Sequence, residues 1–133
     1  MAGLSKKRLG SADEHRRFEG HGGVEIYKLG SDVVMRATFE PGWRWSSDLQ
    51  PIAGTRSCEV AHSLYVEAGR MRIRMDDGQE EEVSAGDLAV IAPGHNAWVV
   101  GDEACVMLDF GDVSRYAQRA PPAPRPEQEA RVH

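Results

Sequence analysis

Between residues 22 and 116 the apolar positions recur every second residue in short runs, and glycine, proline and aspartate separate the runs. This is the pattern of half-buried strands joined by turns. Val24, Ile26 and Tyr27 open one run, Gly30-Ser31 turns it, and Val33, Met35, Ala37 and Phe39 then alternate with Val34, Arg36, Thr38 and Glu40. Pro41-Gly42 ends that strand, and a long polar loop carrying Trp43, Trp45 and Pro51-Ile52-Ala53-Gly54 follows.

The clearest hairpin spans residues 70–83. Met71, Ile73 and Met75 alternate with Arg70, Arg72 and Arg74, and Asp76-Asp77-Gly78 supplies a turn with glycine for the left-handed position. The register predicts Arg74 opposite Glu80 and Arg72 opposite Glu82 on the outer face, with Met71 opposite Val83 on the inner one. Further strands are expected at 88–91, 97–100 and 105–110, and no long amphipathic helix precedes Tyr116. An all-β sandwich or closed barrel follows.

The flanks read differently. Residues 1–21 are polar and predict an arm or a short edge strand, whereas residues 117–133 are rich in proline and charge and predict a disordered tail. One folded unit over 22–116 is expected, because a chain of 133 residues suits a single core.

Charge and cysteine usage narrow the partners. A net charge of −5 without any dense Lys/Arg cluster argues against nucleic acid or an anionic membrane as the main partner. A small-molecule ligand is the expectation. No secretory signal precedes Cys58 and Cys105, which read as free thiols, and no segment approaches the ~20 apolar residues of a membrane span. These features predict a soluble, cytoplasmic protein.

Candidate chemistry concentrates in residues 84–98, SAGDLAVIAPGHNAW. A Gly86-Asp87 turn leads into an apolar strand that ends at Pro93-Gly94-His95, placing an imidazole where small barrels carry their chemistry. Trp43, Trp45 and Trp98 are candidates to line a ligand pocket at one barrel end, the alternative being that they cap the core. Arg44 is placed to bind a carboxylate or stack on a ring, or simply to face solvent.

This layout resembles the cupin superfamily, whose motifs read G(X)5HXH(X)3-4E(X)6G and G(X)5PXG(X)2H(X)3N with a hairpin between them. With the first motif's last glycine on Gly69, its glutamate falls on His62 and its two histidines on Cys58 and Arg56. With the second motif's first glycine on Gly86, its proline falls on Ala92, its second glycine on Gly94 and its histidine on Ala97. The phrases PGWRWS, PIAGT, MDDG and PGHNAWVVGDE further resemble small single-domain bacterial cupins, in which position 61 is often histidine and position 96 aspartate; here they are Ala61 and Asn96. The resemblance covers residues 20–112 and implies a single-domain cupin-type β-barrel, a double-stranded β-helix or jelly roll.

None of the family's four metal positions holds the family's residue. Cys58 and His62 nevertheless offer thiolate and imidazole, and His95 stands two residues before the missing histidine, on the same strand face. A Cys-His-His set with an open position suits a divalent transition metal such as Fe, Zn, Ni, Cu or Mn. It requires a bend, because a straight strand would separate the Cα atoms of Cys58 and His62 by ~13 Å. Structural roles compete with these: Cys58 as a small buried residue, His62 as a hydrogen-bonded core histidine, His95 as part of a turn, and Cys105 as packing.

Three functional readings follow. The resemblance implies a metal-dependent enzyme of the oxygenase, isomerase, lyase or cyclase class, with the ion on Cys58, His62 and His95. The second is a metal-free site in which His62 and His95 work as acid and base or hydrogen-bond a ligand. The third is a non-catalytic binding or sensing module, with edge strands and the arm near Arg16 to Glu19 making a homodimer.

Overall fold

A computed structural model of the chain describes residues 3–118. Among these residues nine strands form: β1 (Glu14–Arg17), β2 (Gly22–Leu29), β3 (Asp32–Phe39), β4 (His62–Ala68), β5 (Arg70–Met75), β6 (Glu80–Ser84), β7 (Leu88–Ile91), β8 (His95–Val99) and β9 (Cys105–Asp109). Two single-turn helices, α1 (Trp45–Asp48) and α2 (Gln50–Ala53), lie within the stretch expected to be a polar loop. No helix among the described residues is long and apolar enough to cross a membrane.

The strands form two antiparallel sheets, ordered β1-β2-β3-β9-β4-β7 and β6-β5-β8. The alternation read from the sequence points Met35, Ala37 and Phe39 of β3 into the core, opposite Met71 and Ile73 of the second sheet's central strand. The 70–83 hairpin has the expected register, with Arg74 paired to Glu80, Arg72 to Glu82 and Met71 to Val83. Its side chains pair diagonally instead: Arg72 hydrogen-bonds Glu80 and lies 3.8 Å from Glu82. These exposed pairs are worth little and leave the apolar face to set the register.

Gly69 shows how closely the layers approach. It sits at φ +78°, and a Cβ there would stand 2.3 Å from the Ala104 carbonyl oxygen and 2.6 Å from Cys105 Cα. Neither backbone atom can rotate away. Gly69→Ala should therefore destabilise the fold by about 3 kcal/mol in equilibrium denaturation; a loss below about 1 kcal/mol would contradict this close approach.

The N-terminal expectation resolves toward the edge strand. β1 pairs with β2, Phe18 enters the core, and the Arg16 guanidinium donates to the Tyr116 carbonyl oxygen at 2.7 Å. The arm is thus packed on its own barrel. The strand expected at 97–100 begins at His95, so this histidine belongs to β8 and not to a turn. The proline-rich tail from residue 119 onward lies outside the described residues.

Candidate metal centre

Local backbone pairing brings Cys58 to His95. The Cys58 N–H donates to the His95 carbonyl at 2.8 Å, and the Gly94 N–H donates to the Cys58 carbonyl at 2.7 Å. The chain then bends through residues 59–61 before β4 begins at His62. This is the bend that the ~13 Å separation of a straight strand demanded. It leaves the Cys58 Sγ 3.7 Å from His62 Nε2.

Each imidazole is oriented from its far side. His62 Nδ1 lies 2.5 Å from Asp109 Oδ2, and His95 Nδ1 lies 2.8 Å from the Ala92 carbonyl oxygen. Both oxygens can only accept, so Nδ1 carries the proton in each ring and Nε2 is the nitrogen left for a ligand. Asp109 is fully buried at the end of β9, and its other oxygen accepts from the Ser63 and Gly111 N–H groups at 3.2 and 2.9 Å. Gly111 makes this approach possible, since a Cβ there would stand 2.8 Å from His62 Cα.

Charge follows from these contacts. Burial disfavours ionisation of the Cys58 thiol, but hydrogen bonds and positive charge from His62 and His95 outweigh it and lower its pKa from 9.0 to about 6. Burial likewise disfavours the His62 cation, yet Asp109 and Cys58 outweigh it and raise its pKa to about 9. Without an ion, the neutral-pH state is therefore a thiolate beside an imidazolium. Cys105, sealed in the core and lacking such partners, is pushed up to about 12 by burial.

The three residues present donor atoms that all lie within 4.8 Å of one another. A tetrahedral ion with bonds of 2.0–2.3 Å holds its donors ~3.3–3.8 Å apart, so side-chain adjustments of about 1 Å close the set. Thiolate with two imidazoles fits Zn²⁺ and other borderline transition metals, and leaves a position for solvent or ligand. The Asp109 contact is the outer-shell carboxylate that such a histidine ligand needs.

Trp43 and Trp45 are buried and line the same small inner cavity as His62 and His95, a space of about 30 Å³. The Trp43 Nε1 has no hydrogen-bond partner among the described residues. Trp98 and Arg44, expected at the pocket, are elsewhere. On β8 the inward positions are His95 and Ala97, so Trp98 faces outward, with the Arg44 guanidinium 5.0 Å from its ring centroid.

Sequence reasoning overlooked Asp109 and Tyr116. Asp109 had a signal, because it continues the inward parity of Cys105 and Met107 and a carboxylate there must find a partner. Tyr116, packed edge-on against His62 at 5.6 Å, lies beyond the last strand and had none.

No protein-family model matches the sequence, and neither does any curated protein. Solved structures do resemble the fold. An oxalate decarboxylase formate complex from Lactobacillus farciminis is similar at TM-score 0.59 and 19% identity over 84% of this chain and 33% of that one. The chain spans about a third of that enzyme's length. An RmlC-like cupin from Shewanella frigidimarina is similar at TM-score 0.55 and 14% identity, covering 83% of this chain and 95% of that one. An uncharacterized double-stranded β-helix protein from Klebsiella pneumoniae is similar at TM-score 0.55 and 21% identity, covering 80% and 90% respectively. The expected cupin-type double-stranded β-helix is therefore the fold of this chain.

Proposed function

We propose that this cupin-fold chain binds a small molecule and holds a divalent transition metal on Cys58, His62 and His95, as an enzyme of the oxygenase, isomerase, lyase or cyclase class. The observation that carries the reading is the convergence of three donors within 4.8 Å, with both imidazoles held through Nδ1. When bound, such an ion supplies Lewis acidity toward a substrate oxygen. Asp109 keeps the His62 ring aimed and compensates its charge, and the Ala92 carbonyl does the aiming for His95. Trp43 and Trp45 restrict the inner cavity to solvent-sized occupants, and the free Trp43 N–H is a donor for an oxygen entering it. The free, buried state of both described cysteines suits a reducing cytoplasm.

Elemental analysis of protein purified without chelator tests this directly. About one ion per chain is expected, falling to near zero in Cys58→Ser/His62→Ala. Absence of metal, unrestored by soaking in Zn, Fe, Ni, Cu or Mn salts, would overturn the metal reading. That outcome would favour the second reading, a metal-free acid–base site, which the Cys58–His62–Asp109 alignment supports because it keeps a proton on His62 without an ion.

A further inference from the structure

Cys58 differs from the two histidines in what it borders. His62 and His95 line the inner cavity, whereas Cys58 lines a separate outer pocket of about 190 Å³. Leu49 and Ile52, from the turns around α1 and α2, form one wall, and Val60 with the 115–118 segment forms the other. Trp45 and Tyr116 belong to both spaces and stand between them. Tyr116 is fixed in that position by His62 and by Phe18, whose ring centroid is 6.4 Å away, while Arg16 holds its backbone oxygen.

The volumes decide which space takes an organic molecule. About 30 Å³ accommodates one or two waters, whereas an apolar cavity of ~150 Å³ is enough for benzene. We infer that the outer pocket is the substrate site: a compact, ring-sized and mainly apolar molecule binds there against Cys58, and the inner cavity takes only a solvent-sized ligand. The rim carries one exposed charge of each sign, Glu59 and Arg115, so no net ligand charge is demanded. The catalytic meaning of this pocket rests on the proposed metal centre; its existence as a binding site does not.

The test uses the full chain after metal removal by chelation, with N-ethylmaleimide as the probe and mass mapping of the labelled cysteines. Cys58 should label at least tenfold faster than Cys105, which is sealed in the core. Benzyl alcohol at saturation should slow Cys58 labelling severalfold in the unmodified chain, whereas glycerol should not. Ala53→Trp, at an exposed α2 position on the pocket edge, should slow it at least tenfold while leaving zinc uptake unchanged. Labelling of Cys58 no faster than Cys105, or no protection by benzyl alcohol, overturns the proposal. Because no ion is present, these outcomes are independent of the elemental analysis: protection without metal uptake leaves a ligand pocket without a metal centre, and uptake without protection leaves the reverse.

Discussion

Zinc affinity should rise about tenfold for each pH unit between pH 7 and pH 9, then level off, because one proton must leave the Cys58–His62 pair for each ion bound. The sign follows from the two pKa values. Cys58, lowered to about 6, is already a thiolate throughout this window and releases nothing. His62, raised to about 9, is still protonated and must give up the proton on Nε2 before that nitrogen can bind. Below pH 6 Cys58 regains its own proton, and the dependence should steepen. Competition against a chelator of known pH-corrected affinity reads the slope, and a flat profile from pH 7 to 9 would contradict a charged His62. Asp109→Asn offers an internal control. Removing the carboxylate that favours the cation should flatten the profile while lowering affinity about 10- to 100-fold, the usual cost of losing an outer-shell partner.

Asp109→Ala should cost the metal-free protein about 3–5 kcal/mol, because it breaks the buried His62–Asp109 ion pair and leaves the His62 cation with the Cys58 thiolate. The substitution also strands the Ser63 and Gly111 N–H groups, both of which donate to the same carboxylate. Both donors are only partly buried, so each adds less than the roughly 1–3 kcal/mol of a fully buried one, and the total belongs at the upper end of the ion-pair range. The loss has a pH signature. His62 is raised in the folded state, so its contribution is fully present below its unfolded value of 6.5 and disappears as pH climbs through about 9. The difference between the unmodified chain and Asp109→Ala should therefore be largest near pH 6 and shrink toward pH 9.5 in urea denaturation. A difference independent of pH would assign Asp109 to packing alone.

Much of the architecture was legible because strand burial alternates locally. Met71, Ile73 and Val83 announce their face within a few residues, and Asp76-Asp77-Gly78 sets the hairpin turn, so register could be read without the fold. Tryptophans were less legible. Trp43 and Trp45 straddle Arg44 and both turn inward, but Trp98 looks identical in the sequence and points outward, since its face is set by the strand beginning at His95. The same earlier strand start puts His95 inside β8, on the inner face with Ala97 that their two-residue spacing implied.

The sequence by itself determined the strands, the hairpin register, the cupin frame and the identity of the three candidate donors. These depend on residue type and spacing, which are local properties of the chain. Only the tertiary structure decided that Cys58, His62 and His95 meet, that Asp109 stands behind His62, and that Tyr116 separates the inner cavity from the outer pocket. Those contacts depend on a bend at residues 59–61 with no glycine or proline to mark it, and on β9 lying beside β4 although 36 residues separate Ala68 from Cys105. Long-range strand pairing sets both, and spacing along the chain carries no record of it.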